Sequence, residues 1–184
     1  MENNIQRWLE ADGEISLKKI GIKKDDIVLD FGCGVGNHTI PAAKIAGENG
    51  KVYALDKDKE VLNNVLPKAE IYGLNNIEIM KTAGELEVNL GDASVDVVLL
   101  YDVLHSPRAS LGADDRKELL NEVHRILKPD GFLSVYPMHA DLKEVKEEIE
   151  SSSFYLENEY FGTLLLYTGK LRNDQILNFK RKQA

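Results

Sequence analysis

The most constraining feature of the sequence is the run Val28-Leu29-Asp30-Phe31-Gly32-Cys33-Gly34-Val35-Gly36, where an apolar stretch stops abruptly in a glycine-rich turn and a helical pattern follows. It reads as strand, loop, helix. Glycines at alternate positions remove side chains where the backbone must pass close to something bulky, and some of them permit positive φ at little cost. The N–H groups of such a loop, with the N-terminus of the following helix, can face an anionic or polar group. From the residues alone this is a site for a nucleotide-like ligand.

The rest of the chain repeats the alternation. Ile5, Trp8 and Leu9 have helical spacing, with Asn3 or Asn4 as a cap and Gly13 as an interruption. A second short helical piece runs to Ile20, and residues 27–31 form the first strand. Residues 39–46 form a helix with Pro41 in its first turn, and residues 52–55 a strand ending at Asp56. Val61, Leu62, Val65, Leu66 and Ala69 mark a helix interrupted at Pro67 and closed by Gly73, before a weaker strand at 77–80. Residues 95–101 are the most apolar run and read as a strand buried on both faces, as in a parallel sheet. Asp114 caps the next helix, which stops at the turn Lys128-Pro129-Asp130-Gly131; residues 132–136 form strand five. Asp141 opens a last amphipathic helix, and residues 154–160 and 176–179 are the remaining strand candidates, with 164–167 undecided between strand, helix and loop.

Strands alternating with helices imply an α/β fold on a parallel sheet with right-handed crossovers. Ligands in such sheets bind beyond the carboxyl ends of the strands, where strand order reverses. That places Asp30, the glycine loop, Asp56, Asp102, His105 and Met138-His139 around one candidate site. The 184 residues, 43% of them hydrophobic, fit one domain with a substantial core. The net charge of -8 argues against a broad footprint for nucleic-acid phosphates. No apolar run approaches the roughly 20 residues that span a bilayer, no signal peptide is expected at the N-terminus, and a single cysteine makes a reducing, cytoplasmic location the expectation.

The run at 28–36 resembles motif I of class I S-adenosylmethionine-dependent methyltransferases. Three further signals follow in that family's order: Asp56 within Val52-Tyr53-Ala54-Leu55-Asp56; Val95-Asp96-Val97-Val98 with Asp102-Val103-Leu104-His105; and Arg125-Ile126-Leu127-Lys128-Pro129-Asp130-Gly131. The resemblance implies a three-layer Rossmann-like sandwich: a mostly parallel seven-stranded sheet with one antiparallel strand near the C-terminus. It implies one methyltransferase domain over residues 1–184, in which residues 1–20 form a helical segment that covers the active site. A nicotinamide dinucleotide site is the rival reading of the loop, but its fingerprint is Gly-x-Gly-x-x-Gly, whereas Gly36 follows Gly34 by two. Asp30 also discriminates, because a carboxylate there repels a pyrophosphate and suits a cationic amino-acid moiety.

By resemblance the cofactor is S-adenosyl-L-methionine, leaving as S-adenosyl-L-homocysteine. Asp30 lies near its ammonium end, Gly32 and Gly34 let the backbone approach, and Asp56 accepts from the ribose hydroxyls. The Lys57 stem packs on adenine, and Ala83, Gly84 and Tyr101 complete the donor site. The chain departs from the family after the third strand, where Lys81-Thr82-Ala83-Gly84-Glu85 offers no carboxylate in register for the adenine amino group. Methyl transfer needs alignment, desolvation and, for some acceptors, a base; His105 and His139 are the candidates. For His105 a structural role in the turn before Pro107 is an equal alternative. The single cysteine, Cys33, suggests no metal site. The resemblance is to compact small-molecule methyltransferases, with Trp8, Tyr136, Met138, Tyr160 and Tyr167 as candidate pocket walls. A non-catalytic donor-binding or partner-binding relative is the other function class left open.

Overall fold

The computed structural model describes residues 2–182. Helix α1 (Glu2–Arg7), a π-helical turn (Trp8–Asp12) and α2 (Gly13–Ile20) precede β1 (Ile27–Phe31), α3 (Thr39–Ala46), β2 (Lys51–Asp56), α4 (Lys59–Leu62), α5 (Val65–Ile71) and β3 (Ile77–Lys81). Then come β4 (Val95–Tyr101), α6 (Ala113–Ile126), β5 (Leu127–Tyr136), α7 (Leu142–Ser151), β6 (Phe154–Leu165) and β7 (Leu171–Arg181). The seven strands form one sheet in the order β3-β2-β1-β4-β5-β7-β6. All pairs from β3 to β5 are parallel, and β7 alone runs antiparallel to its two neighbours.

Strand β4 shows why the sheet is a middle layer. Val97, Leu99 and Tyr101 belong to a core shared with the N-terminal helices, α3 and α5, while Val98 and Leu100 join Leu119, Leu120 and Val123 of α6 and Val145 and Ile149 of α7 on the other face. Successive side chains point to opposite faces of a strand, so a strand without alternating polarity is covered on both. Each such side chain contributes roughly 1.5–3 kcal/mol through burial.

Several local expectations are corrected. Helix α1 is already running at Glu2, so Asn3 and Asn4 lie inside it and do not cap it. Gly13 does not interrupt the segment: it has helical φ and ψ, and a Cβ there would lie 2.6 Å from Pro41 Cγ, so it is a close-packing glycine. The helix containing Pro67 breaks at Asn63-Asn64, leaving Pro67 in the first turn of α5. A proline ring clashes with the carbonyl four residues earlier, here Asn63, so the break falls upstream of the proline. Asp114 is not the cap of α6; Asp115 Oδ2 accepts from the N–H of Gly112, the residue before the helix. The Lys128–Gly131 turn lies within β5 as a bulge, because Leu127 pairs with Val95 and Phe132 with Val97. Leu164 and Leu165 complete β6. Asp141 caps α7 as expected, accepting from the N–H groups of Lys143 and Glu144.

Candidate active site

Parallel register sets the strand ends side by side. Phe31 lies opposite Leu55, and Tyr101 opposite Tyr136, so the residues that follow them meet at one edge. Along that edge runs a cleft of about 590 Å³, within the range of small-molecule sites. The chain order reverses there, between β1 and β4.

The glycine loop is held by backbone. Gly32 and Cys33 both donate to Leu55 O, at 2.8 and 3.0 Å. Gly32 has φ +75°, and a Cβ on it would lie 2.8 Å from Val103 Cγ2. Gly34 has φ +54°, and a Cβ there would meet nothing within 4 Å. One residue therefore excludes a side chain because protein is too close; the other leaves its space to the cleft. Asp56 pins the loop from β2: Oδ2 accepts from Gly34 N–H at 2.8 Å and Oδ1 from Asp58 N–H at 2.9 Å.

Beneath the loop lies Asp30, only 2% exposed. The Thr39 hydroxyl donates to its Oδ2 at 2.6 Å, and no cationic side chain pairs with it among the described residues. Burial above all, then the nearby Asp56, pushes its carboxyl up to about 6 against the hydrogen bond from Thr39. His38 sits edge-on between Trp8 and Tyr101, with Nε2 buried and unpartnered, and burial pushes its imidazole down to about 4. Trp8 is fully buried and donates from Nε1 to Asn37 O at 2.7 Å. Tyr101 shares a 3.0 Å hydrogen bond with Ser134, and burial raises its phenol. Cys33 is buried and free, its thiol pushed up by desolvation, so it is a weak nucleophile.

The other half of the cleft follows β4. Asp102 takes a left-handed backbone, φ +57°, and its carboxyl is raised by burial, opposed by the charges of His139 and Arg108. His139 Nε2 lies 3.3 Å from Asp102 Oδ1. His105 turns toward α7, its Nε2 2.7 Å from Glu148 Oε2, while Arg116 holds the other oxygen at 2.6 Å. The guanidinium of Arg108 lies over the ring of Tyr167 at 3.5 Å from the centroid, so the segment after β4 meets the β6–β7 turn across the mouth.

Of the residues singled out from sequence, Gly32, Gly34, Asp56, Lys57, Gly84 and Tyr101 line the cleft. Asp30 lies beneath it, and Ala83, His105 and His139 are not in its wall. Ala83 N–H and the Thr82 hydroxyl donate to Glu85 Oε2, folding that carboxylate onto its own turn. Among the candidate pocket walls, Tyr136, Met138 and Tyr167 line the cleft, whereas Trp8 and Tyr160 do not. No residue of 2–20 lines it; that segment reaches the site through Trp8 and the glycine loop. Arg108, Ser106, Leu165 and Leu166 also line the cleft and carried no sequence signal, because nothing local distinguishes them from ordinary loop and strand-end residues.

Comparison with known proteins places this geometry. Residues 22–181 match the family model described as a methyltransferase domain. A probable cobalt-precorrin-6B C(15)-methyltransferase (decarboxylating) of Saccharolobus solfataricus is 44% identical over 68 residues, 36% of this chain and 34% of that protein. A demethylmenaquinone methyltransferase of Lactobacillus johnsonii is 30% identical over 118 residues, 64% of this chain and 46% of that one. The chain thus spans about a third to a half of the length of the curated relatives it matches. Among solved structures, a SAM-dependent methyltransferase from Aquifex aeolicus superposes with a TM-score of 0.72 at 25% identity, covering 94% of this chain and 91% of that one.

Proposed function

The chain belongs to the methyltransferase-domain family, and on that premise we propose that it is an enzyme transferring the methyl group of S-adenosyl-L-methionine to a small-molecule acceptor, releasing S-adenosyl-L-homocysteine. The observation that carries this reading is the glycine loop pinned to Asp56 above a buried Asp30, at the carboxyl ends of adjacent parallel strands. The residues fit the donor on three counts. Gly34 leaves open space where a Cβ would project. Each Asp56 oxygen accepts one backbone N–H and keeps a lone pair for a ribose hydroxyl. Asp30 is a buried carboxyl with no protein cation paired to it, suited to the donor's ammonium group directly or through water. Leu86 and the stem of Lys57 line the cleft at the adenine end, with Gly84 beside them. Tyr101 closes the floor under the donor, and Ala83 acts through the turn that orients Glu85.

The bound donor supplies an electrophilic methyl on sulfur, which becomes a neutral thioether when the methyl leaves. The chain's part is to hold the acceptor in line, exclude water and take any proton the acceptor releases. Asp102, which lines the cleft, and His139, whose Nε2 lies 3.3 Å from Asp102 Oδ1 outside the wall, are the pair assigned to that proton. His105, engaged with Glu148, positions the segment after β4. Residues 2–20 belong to the same single domain and, through Trp8, buttress the glycine loop. The acidic balance of -8 supports a small acceptor over nucleic acid, and the buried lone cysteine supports a cytoplasmic setting. Among the described residues no helix is long and apolar enough to cross a membrane.

Calorimetry with S-adenosyl-L-homocysteine tests the donor site. Asp56→Ala removes two charge-assisted hydrogen bonds to ribose and is expected to weaken binding on the order of 100-fold. Unchanged affinity in the variant would sink the assignment. Transfer of labelled methyl to a member of a metabolite panel separates the enzyme from a non-catalytic donor-binding relative.

A further inference from the structure

Resting on the methyltransferase reading, we propose that the acceptor is an apolar small molecule bearing one carboxylate, which the guanidinium of Arg108 grips at the cleft mouth. Among the described residues, no carboxylate oxygen lies within ion-pairing distance of Arg108, and none of its side-chain N–H groups donates to the protein. Other arginines are engaged: Arg116 with Glu148, Arg125 with Glu122 and Asp92, Arg172 with Asp174. Among the described residues Arg108 and Arg181 are the two arginines without an ion pair; Arg181 donates to the Leu127 carbonyl, whereas Arg108, whose charge acts on Asp102 from beyond ion-pairing distance, lines the cleft with its N–H groups free.

Its surroundings set what it can hold. Stacking on the Tyr167 ring occupies the face of the guanidinium and leaves the in-plane N–H fork free. That fork matches a planar carboxylate with two parallel hydrogen bonds. The adjacent wall is apolar, formed by Tyr136, Met138, Leu165 and Leu166, so the body attached to the anion is hydrocarbon or aromatic. Charge counting favours a carboxylate over a phosphate ester. One guanidinium balances a single negative charge, and a second charge would face Asp102 on the same wall. Lys57, whose ammonium donates to the Arg108 carbonyl at 3.3 Å, ties the donor side of the cleft to this segment through backbone, which substitution at Arg108 leaves in place.

The test uses the full chain saturated with S-adenosyl-L-homocysteine. Benzoate, cinnamate and 2-naphthoate are titrated by calorimetry beside their carboxamides, with phenyl phosphate as the phosphate arm. At least one acid is expected to bind roughly 10- to 100-fold more tightly than its amide, the range of a charge-assisted pair. Arg108→Gln is expected to abolish that preference, Arg108→Lys to keep part of it, and both to retain wild-type affinity for S-adenosyl-L-homocysteine. The proposal is overturned if no acid outbinds its amide, if the preference survives Arg108→Gln, or if phenyl phosphate binds more tightly than every acid. Failure of S-adenosyl-L-homocysteine itself to bind is a separate result that removes the donor-site reading beneath it.

Discussion

Asp30→Asn is expected to stabilise the protein at pH 8 and change how its stability depends on pH. The carboxyl is 2% exposed and shifted from 3.8 to about 6. Keeping it ionised in the folded state therefore costs roughly 3 kcal/mol, at 1.36 kcal/mol per pKa unit. The native state holds the proton to higher pH than the unfolded chain, so between about pH 4 and pH 6 this group makes stability fall as pH rises. His38 acts in the opposite sense. Its folded value of about 4, below the ordinary 6.5, means the unfolded chain binds more protons, and stability rises over the same window by a similar amount. The two oppose each other in the parent protein. Asparagine keeps an oxygen for the Thr39 hydroxyl and buries a new amide N–H₂ at about 1 kcal/mol. The variant should thus be about 1 kcal/mol less stable than the parent at pH 4 and about 2 kcal/mol more stable at pH 8, a relative swing of about 3 kcal/mol. Urea unfolding followed by the fluorescence of Trp8, the single tryptophan, measures both. A variant-minus-parent difference that is the same at both pH values refutes the reasoning, because it removes the buried ionisation from the account. The same substitution should weaken S-adenosyl-L-homocysteine binding, a stability gain at the expense of the site.

Gly32→Ala should cost roughly 1–3 kcal/mol in stability, because φ is +75° and the new methyl meets Val103 Cγ2 at 2.8 Å. Adding Val103→Ala should recover only the steric part, and full recovery in denaturant titrations would show that backbone conformation contributes nothing. Trp8→Phe keeps most of the buried ring and strands the Asn37 carbonyl, which should cost roughly 1–3 kcal/mol and weaken S-adenosyl-L-homocysteine binding through the adjoining loop. An unfolding midpoint that falls while affinity stays constant would confine Trp8 to packing.

Strand β1 and its glycine loop, the doubly buried β4 and the Asp141 cap were all readable because each rests on signals within one element: an apolar run, a turn residue, a short polar side chain before a helix. Their order along the chain was enough to imply the α/β class and to gather Gly32, Gly34 and Asp56 at one sheet edge. Tertiary structure decided what depends on partners far apart in sequence. Trp8 becomes a support for Asn37, His105 turns to Glu148, and Arg108 meets Tyr167, each across 29 or more positions. Even Pro67 misled locally, since its ring acts on a carbonyl four residues away and moves the helix break upstream. The sequence by itself determined most of the elements, the fold class and the glycine loop, because backbone preference and hydrophobic period are local. That His38 is the histidine lining the cleft was decided by its packing between Trp8 and Tyr101, and the wall beside Arg108 only where the β6–β7 turn meets the segment after β4. Side-chain partners are chosen by packing across the sheet, and no local pattern encodes that choice.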